Sequence, residues 1–201
     1  MKLYYIPGAC SLAPHIALLE AGIPATYHLV EKTEDGNKVD GNDYREINPS
    51  GLVPALVTDD GRRIAEAAVV LQFIASQVEG GRLGDVTAEG RWELQEILNF
   101  LATEVHKSYG PLFHPGLPAD MRPVVEAQVR DKLALAQDRI GPSGYLVGDG
   151  FTVADAYLFT LTGWAVHLQI DLSSLPKLGE YVGRIASRPA VRQALRDEGL
   201  A

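Results

Sequence analysis

The stretch Lys2-Leu3-Tyr4-Tyr5-Ile6-Pro7-Gly8-Ala9-Cys10-Ser11 reads as a short strand that ends in a Pro-Gly turn and passes the chain to a helix. Leu12 to Glu20 carry apolar residues at helical spacing, and Gly22 closes that segment. A second strand-like run follows at Thr26 to Val30, so the opening is β-α-β, the pattern of two parallel strands joined by a helical crossover. The same stretch holds the only cysteine, Cys10. At a helix start, free backbone N–H groups and the positive end of the helix dipole favour thiolate over thiol. A pKa one or more units below the usual ~8.5 is therefore expected.

Working outward, residues 31 to 42 are polar and read as a loop, and Asn48-Pro49-Ser50-Gly51 is a dense turn signal before the apolar run Leu52 to Val57. Asp59-Asp60-Gly61 separates that run from Arg62 to Ala65, a hairpin signature. Pro54 has no N–H for a central ladder, so it belongs at a strand's start or edge, and a cis Val53-Pro54 bond is expected. After Glu66 the pattern turns helical, with Val69, Val70, Phe73 and Ile74 on one side. Gly80 to Asp85 reads as a linker, beyond which strand signals stop. Helices are expected at Trp92 to Tyr109, Met121 to Ile140, Val153 to His167 and Leu178 to Ser187, with a last turn near Pro189. In the first of these, Asn99, Thr103 and His106 lie at i, i+4 and i+7 on one face. Thr152 and Asp155 form a variant capping box. The fold expected is an α/β domain over 1–80 followed by an all-helical domain over 87–201.

The net charge of −8 argues against a nucleic-acid partner, which needs a surplus of Lys and Arg. A single cysteine cannot form an internal disulfide and suits a reducing cytoplasm. Pro7, Gly8, His15 and Glu20 interrupt any signal-peptide reading of the first residues, and no apolar run approaches the ~20 residues of a bilayer span. His15, His28, His106, His114 and His167 show no close ligand spacing, so no metal is expected. His15 is read as structural, five residues being the wrong helical phase to share a face with Cys10.

Four motifs in order, Pro7-Gly8-Ala9-Cys10-Ser11, Asn48-Pro49-x-Gly51-x-Val53-Pro54-Ala55-Leu56, Asn99 with His106-Lys107, and Phe151-Thr152-x-Ala154-Asp155-Ala156-Tyr157, together resemble the bacterial beta class of glutathione transferases. The resemblance spans nearly the whole chain. It implies a thioredoxin-like N-terminal domain, a helical-bundle C-terminal domain, a homodimer, and conjugation of glutathione to an electrophilic small molecule. It also implies that the backbone of Val53, before a cis Pro54, pairs with the cysteinyl part of glutathione. The helix start at Glu66 and Ala67 would hold the γ-glutamyl end, its N–H groups facing the carboxylate and Glu66 facing the ammonium. Many relatives carry serine where Ala67 stands, a loss of ~1 kcal/mol in affinity. A loop lysine contacts the ligand in relatives, and here Lys32 and Lys38 are the candidates.

Cys10 lacks a C-x-x-C partner, since position 13 is Ala, so it acts either by hydrogen bonding to the ligand sulfur or by exchange through a mixed disulfide resolved by glutathione. His106 and Lys107 are expected to put positive charge opposite the thiol, with Asn99 and Thr103 facing the same cleft. Tyr5 and Ser11 are candidate neighbours of the sulfur. The residues from Tyr109 to Pro118 would help line the electrophile pocket. The rival readings are a non-catalytic scaffold of the same fold and a glutathione-dependent isomerase.

Overall fold

Strand β1 (Lys2–Tyr5) is the centre around which the first half assembles in the computed structural model, which describes residues 1–84 and 87–201. Helix α1 (Leu12–Ala21) follows and ends on Gly22, whose left-handed backbone (φ 68°) lets the chain turn back as only glycine does cheaply. Strand β2 (Thr26–Leu29) then pairs parallel to β1, as the β-α-β opening requires. Strands β6 (Ala55–Val57) and β7 (Arg63–Ala65) form the expected hairpin, and β6 runs antiparallel to β1. The sheet order is β2-β1-β6-β7, and the Val53-Pro54 bond entering β6 is cis. Helix α2 (Ala67–Ser76) packs on α1 with Ile16, Val70, Leu71 and Ile74 fully buried.

The segment read as a polar loop is a small antiparallel sheet of β3 (Glu31–Thr33), β4 (Gly36–Val39) and β5 (Asn42–Asp43). Glu34-Asp35 is the two-residue turn that joins β3 to β4, closed by the Thr33–Gly36 pair with Gly36 at φ 110°. Its exposed polar strands lack the apolar alternation by which strands are read. Val39 and Tyr44 anchor this excursion against Tyr4, Val30 and Ala55 in a second small core.

The second half is helical: α3 (Ala88–Phe100), α4 (Arg122–Asp138), α5 (Val153–His167), α6 (Pro176–Ala186) and α7 (Pro189–Asp197). Of the linker read at 80–85, Asp85 lies outside the described residues. Buried α5 packs on α1, α2 and α3, while α7 packs on α1. Glu20 and Arg188 tie the halves together through a two-bonded ion pair (2.6 and 2.9 Å). Helix α3 continues through a π-helical segment, Leu101–His106. The wider turn shifts the side-chain phase, so the i, i+4, i+7 stripe does not share one environment. Asn99 and Thr103 are exposed, and His106 is half-buried.

Tyr109, just beyond this segment, is fully buried, and its hydroxyl has no hydrogen-bond partner among the described residues. An unmet buried hydroxyl costs ~1–3 kcal/mol. Tyr109→Phe is therefore expected to raise unfolding free energy by about 1 kcal/mol in urea titrations. A loss of comparable size would show that the hydroxyl has a partner in solution.

Candidate active site

Cys10 lies in the loop between β1 and α1, and its position is fixed from three sides. Locally, the buried Ser11 hydroxyl accepts from the Ile6 N–H and donates to the Ile6 carbonyl, both at 3.2 Å. From the helical half, the Trp164 indole N–H on α5 donates to the Gly8 carbonyl at 2.7 Å. From the C-terminal end, Glu198 accepts the Gly8 N–H at 2.9 Å and bonds His15 Nδ1 at 2.9 Å through its other oxygen. Gly8 sits at φ 71°, and a Cβ there would come within 3.6 Å of Leu200. His15, buried as its structural reading requires, is thus part of the loop's support.

The fixed thiol donates to the Val53 carbonyl at 3.2 Å. Cys10 and the edge before Pro54 therefore meet at one point, although 43 residues separate them in sequence. Burial pushes the Cys10 thiol up to about 12, and the Glu66 carboxylate adds to that rise. The N–H groups of Cys10 and Ser11 pull the other way, as the helix-start argument demands, and burial outweighs them. The expected depressed pKa is therefore corrected: in the ligand-free protein Cys10 is a neutral hydrogen-bond donor. The thiolate fraction at neutral pH is therefore far below that of an ordinary ~8.5 thiol. Iodoacetamide alkylation of native protein should be slower than that of unfolded protein by at least two orders of magnitude; equal rates would contradict this burial. Glu198→Ala leaves the Gly8 N–H and His15 Nδ1 without their partner. It should cost about 2 kcal/mol in stability and speed that alkylation, whereas unchanged stability and rate would show that the loop holds itself.

Val53 is half-buried, and among the described residues its N–H has no partner, so the peptide edge before Pro54 is open to an extended ligand. Glu66 precedes α2 in a strained backbone conformation (φ 67°, ψ 120°) and is exposed, while Ala67 is buried. Lys38 is half-buried on β4, 3.9 Å from Asp35, beside Asn37, which donates to the Gly51 carbonyl at 2.8 Å. Lys32 is exposed on β3.

His106 Nδ1 lies 2.7 Å from the Tyr157 hydroxyl, and the ring packs edge-on against Trp164 at 4.8 Å. Burial, with a smaller effect from Lys107, pushes its pKa down to about 4. The positive charge expected at His106 is absent at neutral pH, because a partly buried imidazole beside an ammonium sheds its proton. Lys107 is exposed. Thr103 donates to the Asn99 carbonyl at 3.0 Å, and no hydrogen bond among the described residues joins either side chain to the Cys10 loop. The Tyr5 ring lies 6.1 Å from that of His15, and the Ser11 hydroxyl is occupied by Ile6, so Ser11 acts on the sulfur through its backbone N–H rather than its side chain. Sequence reasoning did not single out Trp164 and Glu198, and it named Tyr157 only as the end of the fourth motif, with no role at the site. Tyr157 and Trp164 lie seven apart on a helix of mostly apolar residues, and their polar tips demand partners. Glu198 carries no such signal. Among the described residues no cluster of His, Cys, Asp and Glu could hold a metal ion, and no helix is long and apolar enough to cross a membrane.

A thioredoxin-like sheet that presents a cysteine against a cis-proline edge, closed over by a helical half, defines a class of thiol-handling proteins. Residues 8–77 match the glutathione S-transferase N-terminal domain and residues 100–189 the C-terminal domain, and the chain belongs to the glutathione S-transferase family. It is 40% identical to glutathione S-transferase GstA of Escherichia coli O157:H7, over the full length of both chains. It is also similar to a sphingomonad glutathione S-transferase solved in complex with glutathione (39% identity, TM-score 0.92, all of both chains). A beta-class enzyme of Sphingomonas chungbukensis matches over all of both chains with 41% identity and TM-score 0.92, in keeping with the bacterial beta class.

Proposed function

We propose that this chain binds glutathione along the Val53 edge and joins its sulfur to an electrophilic small molecule held between the two halves. The observation that carries this reading is the 3.2 Å contact between Cys10 Sγ and the Val53 carbonyl, which puts a thiol group where a peptide's cysteinyl unit would pair. The Val53 carbonyl has a second lone pair for the ligand, and its N–H is open. Glu66 and the first N–H groups of α2 take the γ-glutamyl ammonium and carboxylate. Ala67 contributes its backbone only. Lys38 is the cation assigned to the ligand's other end, and Asn99, Thr103 and Lys107 form the polar rim on the helical side. Phe113 and Trp164, whose rings meet edge-on 5.4 Å apart, supply the apolar wall for the electrophile, with buried Tyr109 packed behind them.

Cys10 serves by donating a hydrogen bond, first to Val53 and then to the ligand sulfur. Burial and the raised proton affinity favour this over disulfide exchange. The electrophile is brought to a sulfur already oriented, so positioning and stabilisation of the thiolate supply the catalysis. The working unit is a cytoplasmic homodimer of chains divided at about residues 80 and 87, and light scattering tests the dimer.

The decisive assay is glutathione conjugation to a chlorodinitrobenzene, followed by initial rates. Saturable, glutathione-dependent turnover supports the reading. Tight glutathione binding without turnover of any electrophile would favour a binding module, and no binding would overturn it.

A further inference from the structure

The conjugation reading leaves one buried polar contact unused, and it lies at the boundary between α5 and the π-helical segment. The Tyr157 hydroxyl is 2.7 Å from His106 Nδ1, with the two ring planes at 83°. Tyr157 is only 1% exposed. Burial pushes its phenol pKa far above the usual ~10, and the nearby Cys10 and Glu66 push it in the same direction. The hydroxyl therefore stays protonated and stands within the electrostatic reach of the thiol site.

A neutral imidazole has one N–H and one acceptor nitrogen, and the hydrogen bond made by one nitrogen decides the state of the other. If the phenol donates to Nδ1, a single bond satisfies both groups. If Nδ1–H donated instead, the phenol proton would be left buried without an acceptor, since Tyr157 makes no other hydrogen bond among the described residues. That arrangement costs ~1–3 kcal/mol, enough to decide the tautomer. His106 Nε2 has no partner among the described residues and is not sealed from solvent. The ring is held from its other side by Trp164, which is itself bonded to Gly8 in the cysteine loop.

We propose that Tyr157 is a positioning residue: by donating to Nδ1 it locks His106 as the Nε2–H tautomer and holds that N–H as a fixed donor for the glutathione sulfur. This rests on the conjugation reading for its target, but not for its geometry. His106 then acts neither as a base nor as a cation. The thiol proton leaves to solvent, and the Nε2–H stabilises the thiolate that remains, because a donor bonds an anion more strongly than a neutral thiol. The arrangement also explains why a histidine with so low a proton affinity is useful at this place: a donor that never titrates near neutral pH is always in the right form.

The first test uses the ligand-free wild-type protein. Long-range ¹H–¹⁵N correlation spectra of the imidazoles, with His106→Gln to assign the signal, should show Nδ1 as the unprotonated nitrogen and Nε2 as the protonated one. A protonated Nδ1 overturns the proposal whether or not glutathione binds. The second test is Tyr157→Phe. The His106 tautomers should become mixed, and kcat/KM for conjugation should fall about 10–100-fold, the range for one hydrogen bond to a charged group. Affinity for S-methylglutathione, which has no thiolate, should stay within twofold. An equal loss for S-methylglutathione would make Tyr157 merely structural and overturn the proposal. Failure of glutathione to bind wild-type protein would instead remove the conjugation reading and the sulfur as target of the N–H, a result distinct from a wrong tautomer.

Discussion

Asp155→Ala should destabilise the protein by about 3–5 kcal/mol in urea unfolding, the largest stability effect expected of any single polar side chain here. Asp155 is fully buried at the start of α5, and its carboxylate collects four donors. One oxygen accepts the Thr152 N–H at 2.8 Å and the Thr152 hydroxyl at 3.1 Å. The other accepts the Leu146 N–H at 3.1 Å and the Tyr181 hydroxyl at 3.0 Å. Removing the carboxylate leaves the Thr152 and Leu146 N–H groups unpaired, at ~1–3 kcal/mol each before relaxation, and leaves the buried Tyr181 phenol only the Asp155 backbone carbonyl at 3.2 Å. Asp155→Asn should recover little, because its NH₂ would face donors. Burial raises the Asp155 pKa to about 6, above the ~3.9 of an unfolded chain, even though all four hydrogen bonds oppose the rise. The folded state therefore binds more protons than the unfolded state between pH 4 and 6, so this group's contribution to stability falls as pH rises through that window. In Asp155→Asn that downward component should vanish. A loss of under 1 kcal/mol on Asp155→Ala would mean that α5 is not held through this residue.

Glu66→Gln should weaken glutathione binding about 10–100-fold while leaving kcat within a few-fold, the largest expected effect on the ligand. The carboxylate is assigned to the γ-glutamyl ammonium, and a hydrogen bond to a charged group carries ~1.5–3 kcal/mol. The backbone supports a ligand role: a non-glycine residue at φ 67° and ψ 120° is strained by ~1–3 kcal/mol. Glu66→Gly separates the two effects. It should raise stability by relieving the strain and weaken glutathione binding by removing the carboxylate. Titration calorimetry and urea unfolding read these separately. Unchanged affinity in Glu66→Gln would reduce Glu66 to an exposed residue near a helix end.

Local patterns carried the fold well where they were strong. The Pro-Gly turn into Cys10, the Asp59-Asp60-Gly61 turn and the capping pair Thr152 and Asp155 each mark a boundary that the structure keeps. The three-stranded excursion over 31–43 was not legible, because its stability comes from Val39 and Tyr44 packing under the sheet rather than from alternation along its own strands. The site divides the same way. Val53, Glu66 and Cys10 could be named from motif order, and the structure brings Cys10 to Val53. The protonation states could not be read. A helix start argued for a thiolate at Cys10, and the pair His106-Lys107 for positive charge opposite it; burial instead keeps the thiol protonated and His106 neutral. Burial of that kind depends on α5 lying across the cysteine loop, information held by Tyr157, Trp164 and Glu198 far along the chain.

The most direct measurement of the central claim is a crystal structure of the protein with glutathione. The cysteinyl unit should pair with the backbone of Val53, the γ-glutamyl end should rest on Glu66 and the first turn of α2, and the sulfur should lie within hydrogen-bonding distance of Cys10 Sγ. Glutathione bound away from the Val53 edge, or a chain that excludes it at millimolar concentration, would contradict the account.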